Sequence, residues 1–331
     1  MGKGPRIAIL VIVVFALLVA GLFLLGFEQP AISVSAEPIA QLGPLPLTNA
    51  LFTSWVVTIL IIIGFVLGTR KMKLVPSGWQ NFLEMAVETL YNITEQTSGK
   101  KWASRFFLIP ATIFFYTLVS NWFGLLPGLA AFGPCHAVHS EEAAQAEEIA
   151  HEESSRFRLP VLGCQEGEEI IPLFRAPSSD LNMTGMMAVV TQVTAWTFGF
   201  AALGLGGYLG KFFNFKGVFK AFGPDEHGQR RGCGGTISAF FLGLIEVFVG
   251  LLEFISEFGK IIAFMFRLFG NVFAGEVMLL VLTSLVPLFL TLPFLGLEVF
   301  VGAIQAFVFF ILSVAFYTVA VTSHDHDEAH H

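Results

Sequence analysis

Long apolar runs, rather than alternating apolar and polar positions, dominate this chain. Six stretches are apolar and long enough to cross a hydrocarbon core of ~30 Å: roughly 7–27, 49–68, 106–127, 183–210, 237–286 and 288–322. They predict an all-α polytopic membrane protein. About five core transmembrane helices follow an N-terminal segment, and the last two form a pair of long, strongly tilted helices. The first stretch follows Lys3 and Arg6 and precedes Val34-Ser35-Ala36. Residues 1–36 therefore read as either a signal peptide or a retained membrane anchor. Residues 37–322 read as a single membrane domain, and 323–331 as a disordered His-rich tail.

Residues 77–96 have a different pattern. Trp79, Phe82, Leu83, Ala86, Val87, Leu90 and Ile93 recur with helical period, with Glu84, Glu88 and Glu95 between them. Pro76-Ser77 is a good helix start. The spacing predicts an amphipathic helix lying at the cytoplasmic interface.

The stretch 237–286 cannot be a simple span. Its 50 residues contain no Pro, and a continuous helix of that length would run about 75 Å. It also carries Glu246, Glu253, Glu257, Lys260, Arg267 and Glu276. A charge at the bilayer centre costs about 2.5–3.5 kcal/mol on insertion scales. These side chains are therefore expected to face protein or water, with the helix steeply tilted, broken or extending outside. Glu246, Glu253, Lys260 and Arg267 follow one another at intervals of seven. Steps of about 700° place them on one slowly drifting stripe, which Asn271 continues. A neutralising contact between Glu253 and Lys260 is expected along it. Glu276 lies nine residues past Arg267 and points the other way. Glu298 and Gln305, again seven apart, share a face of the last stretch.

Glu246 and Glu257 read first as members of structural ion pairs. Arg267 is different, because positions 263, 264, 270 and 271 are Ala, Phe, Gly and Asn. A guanidinium keeps its charge at any accessible pH. Its partner must come from another helix or another subunit.

Charge sets the expected topology. Arg70, Lys71, Lys73, Lys100, Lys101 and Arg105 lie in 69–105, and Lys211, Lys216, Lys220, Arg230 and Arg231 in 211–235. The segment 128–182 holds ten acidic residues against Arg156, Arg158 and Arg175. The positive-inside rule puts both basic segments and the carboxyl terminus in the cytoplasm, and 128–182 outside. Its part 128–176 reads as an acidic extracytoplasmic insertion. An oxidising compartment would permit a disulfide between Cys135 and Cys164, but the sequence does not choose between paired and free thiols.

Composition agrees with the pattern. Of 331 residues, 55% are apolar and 13% charged, about half the charge of a soluble chain. The net charge of −7 argues against nucleic acid as a partner. No G-x-x-x-x-G-K-[ST] loop is present, so nucleotide chemistry would fall to other chains. No cofactor is implied. Cys135, His136 and His139, or the tail His324, His326, His330 and His331, offer only a weak metal reading, and no metal site is expected.

The run Phe266-Arg267-Leu268-Phe269-Gly270-Asn271-Val272-Phe273-Ala274-Gly275-Glu276 closely resembles the signature of subunit a of the rotary F-type ATP synthase. Pro177-Ser178-Ser179-Asp180-Leu181-Asn182-Met183-Thr184, Asn121-Trp122-Phe123-Gly124-Leu125-Leu126-Pro127 and Ile304-Gln305-Ala306-Phe307-Val308-Phe309 resemble further motifs of that family. The resemblance covers about 48–130 and 177–322; the segments 1–40 and 131–176 and the tail depart from it.

It implies a proton-translocating stator in a bacterial inner membrane, with two offset half-channels. Arg267 would be the essential arginine facing the carboxylates of a ring of c subunits. Glu276 and Glu298 would line the outer half-channel, Asn271 and Gln305 would lie close to the arginine, and Glu253 would serve the cytoplasmic exit. Some relatives pair a His with a Glu at the outer positions; here both are Glu, which suits a shared proton. The implied partners are the c ring, the b-subunit peripheral stalk, the other synthase subunits and membrane lipid. The competing reading is an independent secondary transporter or channel. It expects two related halves, and no internal repeat is visible.

Overall fold

The computed structural model describes residues 36–42, 45–126, 129, 133, 135–137, 168–170, 172–212, 233–285 and 291–322. The signal or anchor segment, Cys164, most of the acidic insertion and the His-rich tail lie outside these residues.

Seven α-helices account for most of what is described. They are α1 (Asn49–Thr69), α2 (Trp79–Ser98), α3 (Lys100–Phe106), α4 (Leu108–Gly124), α5 (Leu181–Phe212), α6 (Cys233–Leu285) and α7 (Thr291–Val321). A hairpin of β1 (Pro38–Leu42) and β2 (Leu45–Thr48) leads into α1, and β3 (Cys135–Ala137) pairs antiparallel with β4 (Glu168–Ile170).

Three of the helices, α1, α5 and α7, are long and apolar enough to cross a membrane, and α3 with α4, bent by 48°, would make a fourth span. Exposure supports the same conclusion. α1 leaves Ile59, Ile62, Ile63, Val66 and Leu67 uncovered, an apolar surface suited to hydrocarbon rather than water. α6 is a single helix of 53 residues. It is long enough to span, but the charges through its middle set it apart from the purely apolar helices.

Local chemistry fixes the helix ends. Thr48 caps α1, its hydroxyl accepting from Leu51 N at 3.3 Å. Gly99, at φ 75°, joins α2 to α3 in a left-handed conformation that side chains with a Cβ adopt at a cost. Gly204, at φ 70°, interrupts α5. Residues 205–212 then fold back on the preceding segment, with Tyr208 against Phe200 (centroids 4.7 Å apart) and against Gly199.

The chain forms two compact units. One comprises Met1–Met72, Phe114–Thr184 and Arg267–Phe307. In it α1 meets α4 through Tyr116, whose hydroxyl donates to Ser54 Oγ at 2.7 Å, and through the edge-on pair Phe65–Phe115. The α4 end meets α7 through Asn121 Nδ2, which donates to the Gly302 carbonyl (3.3 Å), and Trp122 Nε1, which donates to the Val299 carbonyl (3.0 Å). The other unit comprises Lys73–Ile113, Gly185–Phe266 and Val308–His331. Its centre is aromatic: Phe106, Phe198 and Tyr317 meet with centroids 4.8–5.6 Å apart, and Tyr208 and Phe212 extend the cluster.

Candidate functional site: buried charges along the longest helix

The first unit gathers Arg175, Glu276, Glu298, Asn271, Gln305 and Arg267. Arg175 sits in the short connection before α5, and this connection is buried from Arg175 to Asp180. Five contacts hold the connection. Asn49 Nδ2 donates to the Pro172 carbonyl (3.2 Å), and Arg175 N donates to Thr53 Oγ1 (3.2 Å). Phe174 packs on Phe52 and Phe123, each 5.7 Å away. Ala176 presses on Gly124 so closely that a Cβ there would lie 2.7 Å from the alanine methyl. The Arg175 side chain, 6% exposed, reaches from this anchor to Glu276 at 3.3 Å, and its Nε also donates to Ser179 Oγ at 3.1 Å.

Glu276 on α6 is therefore half of a pair whose cation is buried. Glu298 of α7 packs its carboxyl directly on Gly275, where a Cβ would overlap it. The Glu298 carboxyl thus meets α6 one position before Glu276. Toward the start of the same α6 segment, Asn271 Nδ2 donates to Gln305 Oε1 at 2.7 Å. Gln305 is buried, and its Nε2 has no hydrogen-bond partner among the described residues. A buried amide N–H of this kind calls for a polar neighbour or water. Arg267, one turn before Asn271, is exposed on the surface of the chain, as is Phe266.

The second unit has its own charged row on α6. Glu257, buried, accepts from Gln192 Nε2, from Trp196 Nε1 (3.0 Å) and from Lys260 Nζ. Glu253, one turn earlier, pairs with Lys211 at 3.1 Å, and Lys211 Nζ also donates to the Val319 carbonyl (3.3 Å). This corrects one expectation. Glu253 and Lys260 do not neutralise each other; Lys260 turns three residues back to Glu257, and Glu253 takes a lysine from α5. An i,i+3 pair lies within easier reach than a pair two full turns apart. Gly250 lets the Phe212 carbonyl approach α6 more closely than a Cβ would allow. Glu246 lies exposed.

Sequence reasoning missed Arg175, Lys211, Gln192 and Trp196 as partners of these acids. The signal for Arg175 was its place two residues before the Pro177–Asp180 motif. Nothing in helical spacing could have joined it to a residue 101 positions away.

Long apolar helices with lipid-suited surfaces, and acids on α6 paired with Arg175, Lys211 and Lys260, define a multi-pass α-helical membrane protein with ionisable groups between its helices. Comparison with known proteins makes the class specific. The family model "ATP synthase A chain" matches residues 51–318. Curated relatives include "ATP synthase subunit a" of Moorella thermoacetica, 27% identical over 286 residues (86% of this chain, 96% of that protein). "ATP synthase subunit a" of Gloeobacter violaceus is 30% identical over 297 residues (89% and 93%). The chain belongs to the ATP synthase A chain family, which places it among the proton-channel subunits of F-type ATP synthases.

Proposed function

We propose that the chain is the proton-translocating stator of its synthase, with Arg267 facing a rotating ring of c subunits and two offset half-channels leading to that ring. The observation that carries this reading is the exposed Arg267 on α6, next to the bonded amides of Asn271 and Gln305. A guanidinium exposed on the outer surface of a membrane-protein helix is open to an anionic group carried by another subunit. Ring carboxylates supply one each time they pass. A carboxylate facing Arg267 stays ionised, and one facing lipid must be neutral, so the ring turns only if protons bind on one side of Arg267 and leave on the other.

Glu276 and Glu298 form the outer path and Glu253 the cytoplasmic exit. The c ring, the b-subunit peripheral stalk and the remaining synthase subunits are the partners. The membrane is the bacterial inner membrane, with 128–182 outside and the carboxyl terminus in the cytoplasm. The domain reading we propose with it is a signal or anchor at 1–36, the membrane domain at 37–322 with α2 as an interfacial helix, and a His-rich tail at 323–331. Each proton crossing yields about 2.3 kcal/mol per 100 mV, so several are needed per ATP and a multi-subunit ring provides them.

The experiment is co-purification from solubilised membranes followed by reconstitution. The chain is expected to emerge with an oligomeric proteolipid and a soluble ATPase head, and to conduct protons only in that company. Proton transport by the purified chain alone in liposomes would favour the independent transporter instead.

A further inference from the structure

Successive positions of α6 in the first unit meet two different charged groups, Gly275 the Glu298 carboxyl of α7 and Glu276 the Arg175 guanidinium, and the two carboxyls are not equivalent. Arg175 is tied down through its own backbone, which donates to Thr53, and Thr53 in turn donates to the Asn49 carbonyl at 2.9 Å. Its side chain bonds Ser179 Oγ, which is itself fixed by donating to the Ala176 carbonyl at 2.8 Å. The resulting cation is immobile and permanent. It lies 3.3 Å and 3.4 Å from the two carboxylate oxygens of Glu276. Glu298 packs against Gly275, one residue away along α6, and among the described residues it has no ion-pair partner.

We infer that Arg175 is a positioning residue of the proton path, fixing Glu276 as a permanently charge-compensated carboxylate so that Glu298 is the carboxyl that takes up and gives off the transported proton. The inference rests on the proposed stator reading. The charge balance argues for it. One guanidinium neutralises one carboxylate, and a second ionised carboxyl at the neighbouring position along the helix would add a negative charge that Arg175 does not offset. A proton arriving from the aqueous side forms an O–H bond on Glu298, which neutralises it. When that bond breaks, the proton passes to a ring carboxylate, while Glu276 keeps its contact with Arg175. Arg175 thereby gives the two neighbouring acids different tasks, one structural and electrostatic, the other a carrier.

The test uses the assembled synthase in liposomes, with ATP-driven proton pumping and the amount of this chain in the complex measured together. Arg175→Gln is expected to cut pumping about tenfold or more, because it takes the fixed cation away from the half-buried Glu276 carboxylate. Arg175→Lys, which keeps the charge, is expected to retain most of it. The double variant Arg175→Gln/Glu276→Gln is expected to return to the level of Glu276→Gln alone. Glu276→Gln should lower pumping only severalfold, whereas Glu298→Gln should abolish it. Pumping by Arg175→Gln at the wild-type rate would overturn the inference. So would an Arg175→Lys variant as inert as Arg175→Gln, a double variant no better than Arg175→Gln, or Glu276→Gln as inert as Glu298→Gln. Where Arg175→Gln fails to assemble, the double variant decides alone: assembly with pumping at the Glu276→Gln level supports the inference, and continued failure overturns it. Undiminished pumping after replacement of Arg267 would bring down the stator reading itself, an outcome distinct from all of these.

Discussion

The Nε of Arg175 stands 3.3 Å from a carboxylate oxygen of Glu276, although the two residues lie 101 positions apart in the chain. The contact ties the connection before α5 to the part of α6 that follows Arg267. It converts what would be an isolated acid in a membrane helix into half of a compensated pair. Gly275 and Glu298 complete the arrangement, because the missing Cβ leaves room for the Glu298 carboxyl against α6 one position before Glu276.

That packing makes Gly275 a sensitive position. Gly275→Ala would place a methyl group where the Glu298 carboxyl now sits, and overpacking of this kind costs about 1–3 kcal/mol. The displaced carboxyl should leave the cluster, so ATP synthesis driven by an imposed pH gradient should fall while the chain still enters the complex. Gly259→Ala, where a Cβ would meet nothing within 4 Å, serves as the packing control on the same helix. Equal synthesis rates in the two variants would show that the close approach of Glu298 is unimportant.

In the second unit the acid Glu257 has three donors, and Lys260 is one of them. Glu257→Ala leaves that lysine, the buried Gln192 amide and the partly buried Trp196 indole without their acceptor, a loss of about 3–5 kcal/mol for a broken buried pair. The expected result is a lower steady-state amount of the chain in membranes and a lower unfolding temperature in detergent. Glu257→Ala/Lys260→Ala should recover part of the loss. A double variant less stable than the sum of the two single changes would contradict the pairing.

Gly204 is the break in α5, and its φ of 70° is strained for any residue with a Cβ. Gly204→Ala should destabilise by about 1–2 kcal/mol, although open space surrounds it. Gly206→Ala, also in open space but with no positive φ, should have little effect. The comparison of their melting temperatures separates backbone strain from crowding, and equal temperatures would remove strain as the explanation.

Much of this was legible in the sequence, for identifiable reasons. Helix positions follow from apolar run length, which the bilayer thickness dictates, and α1, α5 and α7 fall where the runs lie. The opposed directions of Arg267 and Glu276 follow from helical rotation alone. The signature around Arg267 pointed to the family that the comparisons show. What escaped were contacts between segments distant in sequence. Arg175 with Glu276, Lys211 with Glu253, and Gln192 and Trp196 with Glu257 all depend on which helices become neighbours, and periodicity within one helix carries no such information. The expected Glu253–Lys260 contact failed for the same reason: a seven-residue spacing puts two residues on one face, but each found a closer partner. The break at Gly204 was hidden because an apolar run with an embedded glycine reads as one helix.

The central claim concerns Arg267, and one measurement reaches it directly. Arg267→Ala is introduced into the assembled synthase, its insertion and assembly are verified, and ATP synthesis is followed in vesicles under an imposed proton gradient. The account predicts assembled complexes that synthesise no ATP above background. Proton-driven synthesis at the normal rate by that variant would contradict it.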